Sequence, residues 1–233
     1  MIRRFNILII LLAKIWSNEP NFVGEELQYS AGFRFLPAGE AILSFYVDSL
    51  NGESVYKLTT SIKTNSFLDT FYEVRDEINS WLQPENLSLR KTIQKIREGN
   101  YKRDHQSMIQ GDSIAISGNT IRGIPGKVYD PIAFVYYLRN QDLNMGSSYN
   151  FLSYSRKKIR EVIVNVTALE TIQVSAGTFN CLKVEPIATD GIPLLKNDGQ
   201  MRVWITDDHL RLPVKIEQKT NIGTMVMKLK AIK

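Results

Sequence analysis

One short run constrains the fold more than any other: Asp130-Pro131-Ile132-Ala133-Phe134-Val135-Tyr136-Tyr137-Leu138-Arg139. It is the clearest helix in a chain that otherwise reads as strands. Asp130 can cap the first turn, and Pro131 suits the first helical position, where a missing N–H goes unnoticed. Gly146, a few residues after Leu143, offers a stop, so the helix is expected over about residues 130–144. Ile132, Val135, Tyr136 and Arg139 share one face, and Phe134, Tyr137 and Leu138 another. A helix apolar on two faces is a buried helix. The expected architecture is therefore mainly β: a curved antiparallel sheet or open barrel wrapped around one central helix.

The flanking segments support the sheet. Leu27, Tyr29, Ala31, Phe33 and Phe35 alternate with polar or small residues, the period of a strand with one buried face. Pro37-Ala38-Gly39 reads as a turn, and Ala41, Leu43, Phe45 and Val47 repeat the alternation. Asn51-Gly52 is a strong hairpin signal, and Tyr56, Leu58, Thr60 and Ile62 return. After a break at residues 65–70, alternation from Phe71 to Leu82 suggests a strand with mixed faces. Leu89 to Arg97 is a more polar strand. Beyond the helix, Val162, Val164 and Val166 mark another strand, Ala176-Gly177 a hairpin, and Val203 with Ile205 a strand that also carries Trp204. Residues 188–199 read as loop, with Pro193 and Asn197-Asp198-Gly199. Asn221-Ile222-Gly223 turns the chain into its last strand. Most breaks are short turns, which favours one domain over residues 21–233.

Composition narrows the function classes. At 43% hydrophobic and 23% charged the chain is of ordinary globular type. The formal charge of +5 is concentrated in short clusters such as Arg156-Lys157-Lys158 and Lys228, Lys230 and Lys233. Solvated strand edges explain these better than an anionic surface does. Residues 1–20 are signal-like: Met1-Ile2-Arg3-Arg4 is basic, and Phe5 to Ala13 is nearly all apolar. Lys14 interrupts the segment and Ser17 is its best small residue for cleavage. Export to the periplasm or cell envelope is the expectation.

Catalytic apparatus is sparse. Cys181, the single cysteine, excludes an internal disulfide and lies in an alternating stretch where a buried, inert thiol is expected. His105 and His209 are too few for a multi-histidine metal site. Asp207 and His209 could converge on an extended strand, but a polar turn is the preferred reading. Arg75 and Glu77 share a strand face and can neutralise each other. Asp76 falls on an apolar face and is expected to pair with a base, Arg139 or Arg103. No phosphate loop and no basic-aromatic platform for nucleic acid is present. Neither a metal nor a cofactor is expected, and neither is catalysis.

A family resemblance rests on an ordered set of short motifs. These are Gly39-Glu40-Ala41, Phe71-Tyr72-Glu73-Val74-Arg75-Asp76, Tyr137-Leu138-Arg139, Ala176-Gly177-Thr178-Phe179-Asn180-Cys181-Leu182-Lys183-Val184, and Gly199 to Asp208 followed by Leu212-Pro213-Val214-Lys215-Ile216. Together they resemble the exported bacterial family called domain of unknown function 3108, and the resemblance implies export and a mainly β fold, with no activity. The tail is also similar in style to periplasmic half-barrel carriers of lipids and lipoproteins.

Three functions are then in play. The first is a non-enzymatic envelope protein that binds or carries a lipid or acyl chain in a groove between sheet and helix. Its candidate binding residues are Phe134, Val135, Tyr136, Tyr137, Leu138 and Trp204. The second is a structural or protein-interaction component of the envelope without a cavity. The third, ranked last, is a hydrolase using Asp76, Asp207 and Asp208. Oligomeric state is open.

Overall fold

The computed structural model describes residues 19–33, 36–155, 157–191, 200–220 and 223–233. The signal-like segment through Lys14 and Ser17 lies outside the described residues. So do Arg34, Phe35, Arg156, Pro193, Asn197 to Gly199, Asn221 and Ile222.

In chain order the elements are β1 (Glu26–Phe33), β2 (Leu36–Leu50), β3 (Glu53–Thr64), a four-residue α1 (Ser66–Asp69), β4 (Arg75–Leu82), β5 (Leu89–Glu98), β6 (Tyr101–Gln110), β7 (Ile114–Ser117), β8 (Thr120–Gly123) and β9 (Val128–Tyr129). There follow α2 (Pro131–Arg139), β10 (Ser148–Ser155), β11 (Lys158–Val174), β12 (Gly177–Ala188), β13 (Gln200–Thr206), β14 (Pro213–Thr220) and β15 (Gly223–Ile232). Among the described residues 15 strands join one sheet in the order β8-β7-β6-β5-β4-β3-β2-β1-β15-β14-β13-β12-β11-β10-β9. The sheet is therefore two sequential meanders, zipped together where β1 meets β15. Alternation buries Leu27, Tyr29 and Ala31 on β1, and Ala41, Leu43 and Phe45 on β2. Asn51 and Gly52 take positive φ in the β2–β3 turn, the conformation that an Asn-Gly hairpin uses.

One pair breaks the antiparallel rule. β9 and β10 are parallel, and parallel neighbours need a crossover rather than a tight turn. α2 is that crossover. Asp130 caps it, accepting from the N–H groups of Ile132 (2.9 Å) and Ala133 (3.3 Å), and Pro131 opens the first turn.

The sheet is strongly curved. β2 and β10 are seven strand spacings apart in the order, about 34 Å if the sheet were flat. Yet Tyr136 of α2 stacks on Phe45 of β2 (5.0 Å between centroids), while Phe134, two residues away, stacks on Phe151 of β10 (3.5 Å). Tyr154 lies three residues beyond Phe151, so it projects from the opposite face of β10. Its hydroxyl donates to Ser107 of β6, eleven spacings away in the sheet (3.0 Å). The two ends of the sheet thus overlap, with β10 between the helix and β6.

Several expectations need correction. The helix stops at Arg139, not near residue 144, because Asn140 leaves the helical region and its N–H closes the last turn on Tyr137 and Leu138. Gly146 serves the entry to β10 instead, its N–H donating to Val166. Pro37-Ala38-Gly39 is not a turn but the start of β2, where Pro37 faces Gly32 beside a bulge, a position that tolerates a missing N–H. Alternation from residue 71 forms a strand only from Arg75. The preceding break contains α1, capped by Asn65.

Gly39 has a packing reason to be glycine. A Cβ there would lie 2.0 Å from the Lys63 carbonyl oxygen and 2.8 Å from the Thr64 Cα, both backbone atoms of the paired strand. Gly39→Ala is expected to lower unfolding free energy in urea by more than about 2 kcal/mol. Gly118→Ala, at φ +56° with open space around it, is expected to lose only about 1 kcal/mol.

Candidate functional site: the interior around the helix

The site is built on α2. Phe134, Val135, Tyr136 and Leu138 are buried, and Tyr137 is half-buried against the same core. Tyr129, Phe134, Tyr137 and Phe151 form one ring cluster. Phe22, Phe45, Tyr56 and Tyr136 form another. Trp204 is not brought to either. It pairs across the sheet with Lys183 and Lys215, and the Lys215 ammonium sits 3.9 Å over its ring. Its indole N–H donates to Glu170 (2.8 Å). Like Val203 and Ile205 on either side of it, Trp204 is buried, and the ladder bulges between Trp204 and Ile205.

The last helical residue carries a buried charge. Arg139 has only 1% of its side chain exposed, and it makes a two-pronged ion pair with Glu25 (2.6 and 2.8 Å), whose side chain is 11% exposed. It also donates to the Leu210 carbonyl (3.1 Å). Its guanidinium carbon lies 4.5 Å from the ring centre of Phe22 and 5.0 Å from that of Tyr136, two rings that also meet edge to face at 5.2 Å. Of the two bases expected for Asp76, Arg139 or Arg103, the structure gives Arg139 to Glu25, a residue before β1. Burial pushes the Tyr136 and Tyr29 phenols well up, so both are neutral near pH 7. Tyr29 donates to the Pro213 carbonyl (2.7 Å).

Sequence reading missed a second feature, a polar lane on the buried face of β4 to β6. Ser80 faces Thr92, Thr92 faces Ser107, and Gln94 faces His105 across the ladder. All five are buried. Ser107 Oγ is 2.9 Å from His105 Nε2 and accepts from Tyr154. Burial, then Arg103 and Lys157, holds the His105 pKa below its usual value. A neutral imidazole can accept from Ser107, which completes a chain from Tyr154 through Ser107 to His105. Burial also raises the Asp130 pKa. Ser80 Oγ lies close enough to that carboxylate to offset part of the rise, but makes no hydrogen bond of normal geometry. The available signal was the parity of β6, where His105 and Ser107 share the face of Ile109.

The remaining candidates for chemistry are held in hydrogen bonds and ion pairs or are buried. Asp207 pairs with Arg211 (3.0 Å). Asp208 accepts from Thr206 and from the N–H groups of Leu210 and Arg211, and the His209 carbonyl accepts from Asn21. That is a polar turn, not an extended strand that converges Asp207 and His209. Arg75 pairs with Asp69 (2.6 Å) and Glu73 rather than Glu77. Asp76 accepts from the Arg97 N–H (2.8 Å), and burial raises its pKa to about 6. Cys181 is buried and its thiol is pushed up to about 12 by burial, so it is protonated and unreactive. Among the described residues no group of three His, Cys, Asp or Glu side chains could hold a metal ion.

This geometry, one rolled open sheet, is that of a β-barrel-like protein. It is shared with the crystal structure of a β-barrel-like protein of domain of unknown function DUF1849 from Brucella abortus, at TM-score 0.61 and 8% identity, over 91% of this chain and 98% of that one. The profile of the family described as protein of unknown function DUF3108 matches residues 28–230, and the chain belongs to that family. Two further structures overlap at TM-score 0.35 and 14% identity: a protein from Bacteroides fragilis described as exported, with a YmcC-like fold, and one from Parabacteroides distasonis described as a lipoprotein. Each comparison covers 92% of this chain, and 98% and 97% of those chains respectively. Overlap at that level does not establish a shared fold. No curated protein matches the chain.

Two predictions follow from the buried charges. Arg139→Met strands the Glu25 carboxylate and is expected to cost about 3–5 kcal/mol in chemical denaturation, with Arg139→Met/Glu25→Gln recovering most of the loss. Asp76 has a folded pKa above its unfolded value, so its contribution to stability is full below about pH 4 and fades as pH rises through about 6. Asp76→Asn keeps the acceptor for Arg97. Its stability relative to the parent is therefore expected to be more favourable at pH 8 than at pH 4.5, in paired urea titrations.

Proposed function

We propose that this is a non-catalytic protein of the cell envelope that binds or carries a hydrophobic ligand, a lipid or acyl chain, between the rolled sheet and its central helix. The observation that carries the reading is the aromatic helix itself. Phe134 and Tyr136 reach strands seven spacings apart and make the helix the wall against which both halves of the sheet close. The interior it closes is apolar in both halves: Val162, Val164, Leu182, Val184 and Val203 are buried on the C-terminal strands, and Leu27, Leu43 and Phe45 on the N-terminal ones. Such an interior suits an acyl chain. The basic-then-apolar order of Met1 to Ala13 supports the envelope location.

A second reading, an interaction protein with a solid core, is favoured by the rim around α1. Phe67 and Phe71 stand exposed with rings 5.7 Å apart, and exposed Tyr72 lies against the β5–β6 turn at Gly99. The decisive experiment is extraction of the protein purified from its native envelope, followed by mass spectrometry and titration with a fluorescent fatty-acid probe. Retained lipid, or saturable probe uptake that Phe134→Ala weakens, is the expected result. An empty protein that takes up no probe, and that crosslinks to a partner through Phe67 and Phe71, would replace the first reading with the second.

A further inference from the structure

The two ends of the rolled sheet are fastened at one buried point. Tyr154 of β10 donates to Ser107 of β6 (3.0 Å), and Ser107 Oγ lies 2.9 Å from His105 Nε2. A hydroxyl has one proton, and Ser107 already accepts from Tyr154, so its own proton goes to the imidazole. That direction requires a bare Nε2 and a neutral ring. The surroundings enforce it. His105, Ser107 and Tyr154 are all buried. The group opposite His105 on β5 is Gln94, which carries no charge. Among the described residues the charges that act on the ring are Arg103 on its own strand and Lys157 in the β10–β11 turn, and both are positive. The acids of the neighbouring elements are committed elsewhere. Asp130 accepts from the Ile132 and Ala133 N–H groups, Asp76 from the Arg97 N–H, and Asp104 pairs with the Arg97 guanidinium.

A proton on Nε2 therefore does two things. It turns the last acceptor of the chain into a donor aimed at Ser107, whose own hydrogen loses its partner. It also creates a buried cation beside two others. Separating β10 from β6 lets water reach the ring and relieves both. We infer that Tyr154, Ser107 and His105 form an acid-released latch: it holds β10 over β6 while the imidazole is neutral, and it lets that seam open, with the rest of the sheet in place, when the imidazole is protonated. His105 takes its proton less readily in the closed seam than an imidazole in water does. The latch thus contributes fully above about pH 6.5, and its contribution is lost as pH falls through the closed-state value. Asp76 titrates in the same range with the opposite sign, so it cannot imitate the effect.

The test is amide hydrogen exchange of the purified chain from neutral to mildly acidic pH, with protection corrected for the intrinsic pH dependence of exchange. Beside it runs an NMR titration of the two imidazoles, assigned with His209→Asn. Amides of β10 are expected to be less protected than those of β1 and β2 at every pH, as a locally opening seam requires. Their protection should fall by up to about tenfold per pH unit below about pH 6.5 and level off at the titration midpoint of His105. In His105→Gln, whose amide oxygen can still accept from Ser107, the fall should vanish. Protection of β10 equal to that of β1 and β2, a fall that ignores the His105 midpoint, or the same fall in His105→Gln would each overturn the latch. If His105→Gln does not fold, the parent alone decides: coincidence of the His105 midpoint with the levelling of β10 protection supports the latch, and their separation overturns it.

Discussion

The whole arrangement depends on a contact that a flat sheet could not make. Tyr136 and Phe134 sit two residues apart on α2, yet their rings lie on strands seven positions apart in the ladder. Curvature, burial and the overlap of the sheet ends are all consequences of holding that contact. The helix is present because β9 and β10 run parallel, and a parallel pair must be joined by a segment that leaves the sheet and returns. That segment has to go somewhere, and the apolar side chains on two of its faces send it into the interior.

The interior is not uniform, and its asymmetry follows the two meanders. Strands after the helix present branched aliphatics at Val162, Val164, Val184 and Val203. Before it, β1 and β2 also bury apolar residues, but β4 to β6 add a polar lane of Ser80, Thr92, Gln94, His105 and Ser107. Ser107 and His105 are paired there with each other and with Tyr154, whose strand is folded under them. The overlap of the sheet ends is thus fastened by hydrogen bonds, whereas the helix is fastened by ring packing. A buried polar seam needs its partners in place, so it specifies how the ends overlap more sharply than an apolar seam would.

Much of this was legible beforehand, for definite reasons. Asp130-Pro131 marked the helix start because capping and a fixed φ are local properties. Alternation marked β1 and β2, and Asn51-Gly52 marked the turn after them. The helix end was overread because Gly146 looked like a stop, whereas the nearer Asn140 closes the last turn. Trp204 is buried as expected, but its placement under Lys215 and beside Glu170 depends on partner strands that its own segment does not reveal. Thr92 and Gln94 give no local signal, because Leu89 to Arg97 is a polar strand without a continuous apolar face to mark its buried side. The Glu25–Arg139 pair spans 114 residues, and nothing local in either segment announces it.

The junction of β1 with β15 has a consequence for how the chain comes together. Glu26 and Lys233 exchange both backbone hydrogen bonds at 2.9 Å, so the first strand is completed by the last. During synthesis the first meander can assemble as soon as its hairpins emerge. It then waits with one side of β1 unpaired until some two hundred residues later, when β15 is made. An open strand of that kind is a template for foreign chains, and pairing of such remote segments is slow. A polypeptide built this way gains from being kept unfolded, or shielded by a holding chaperone, until its last strand is available.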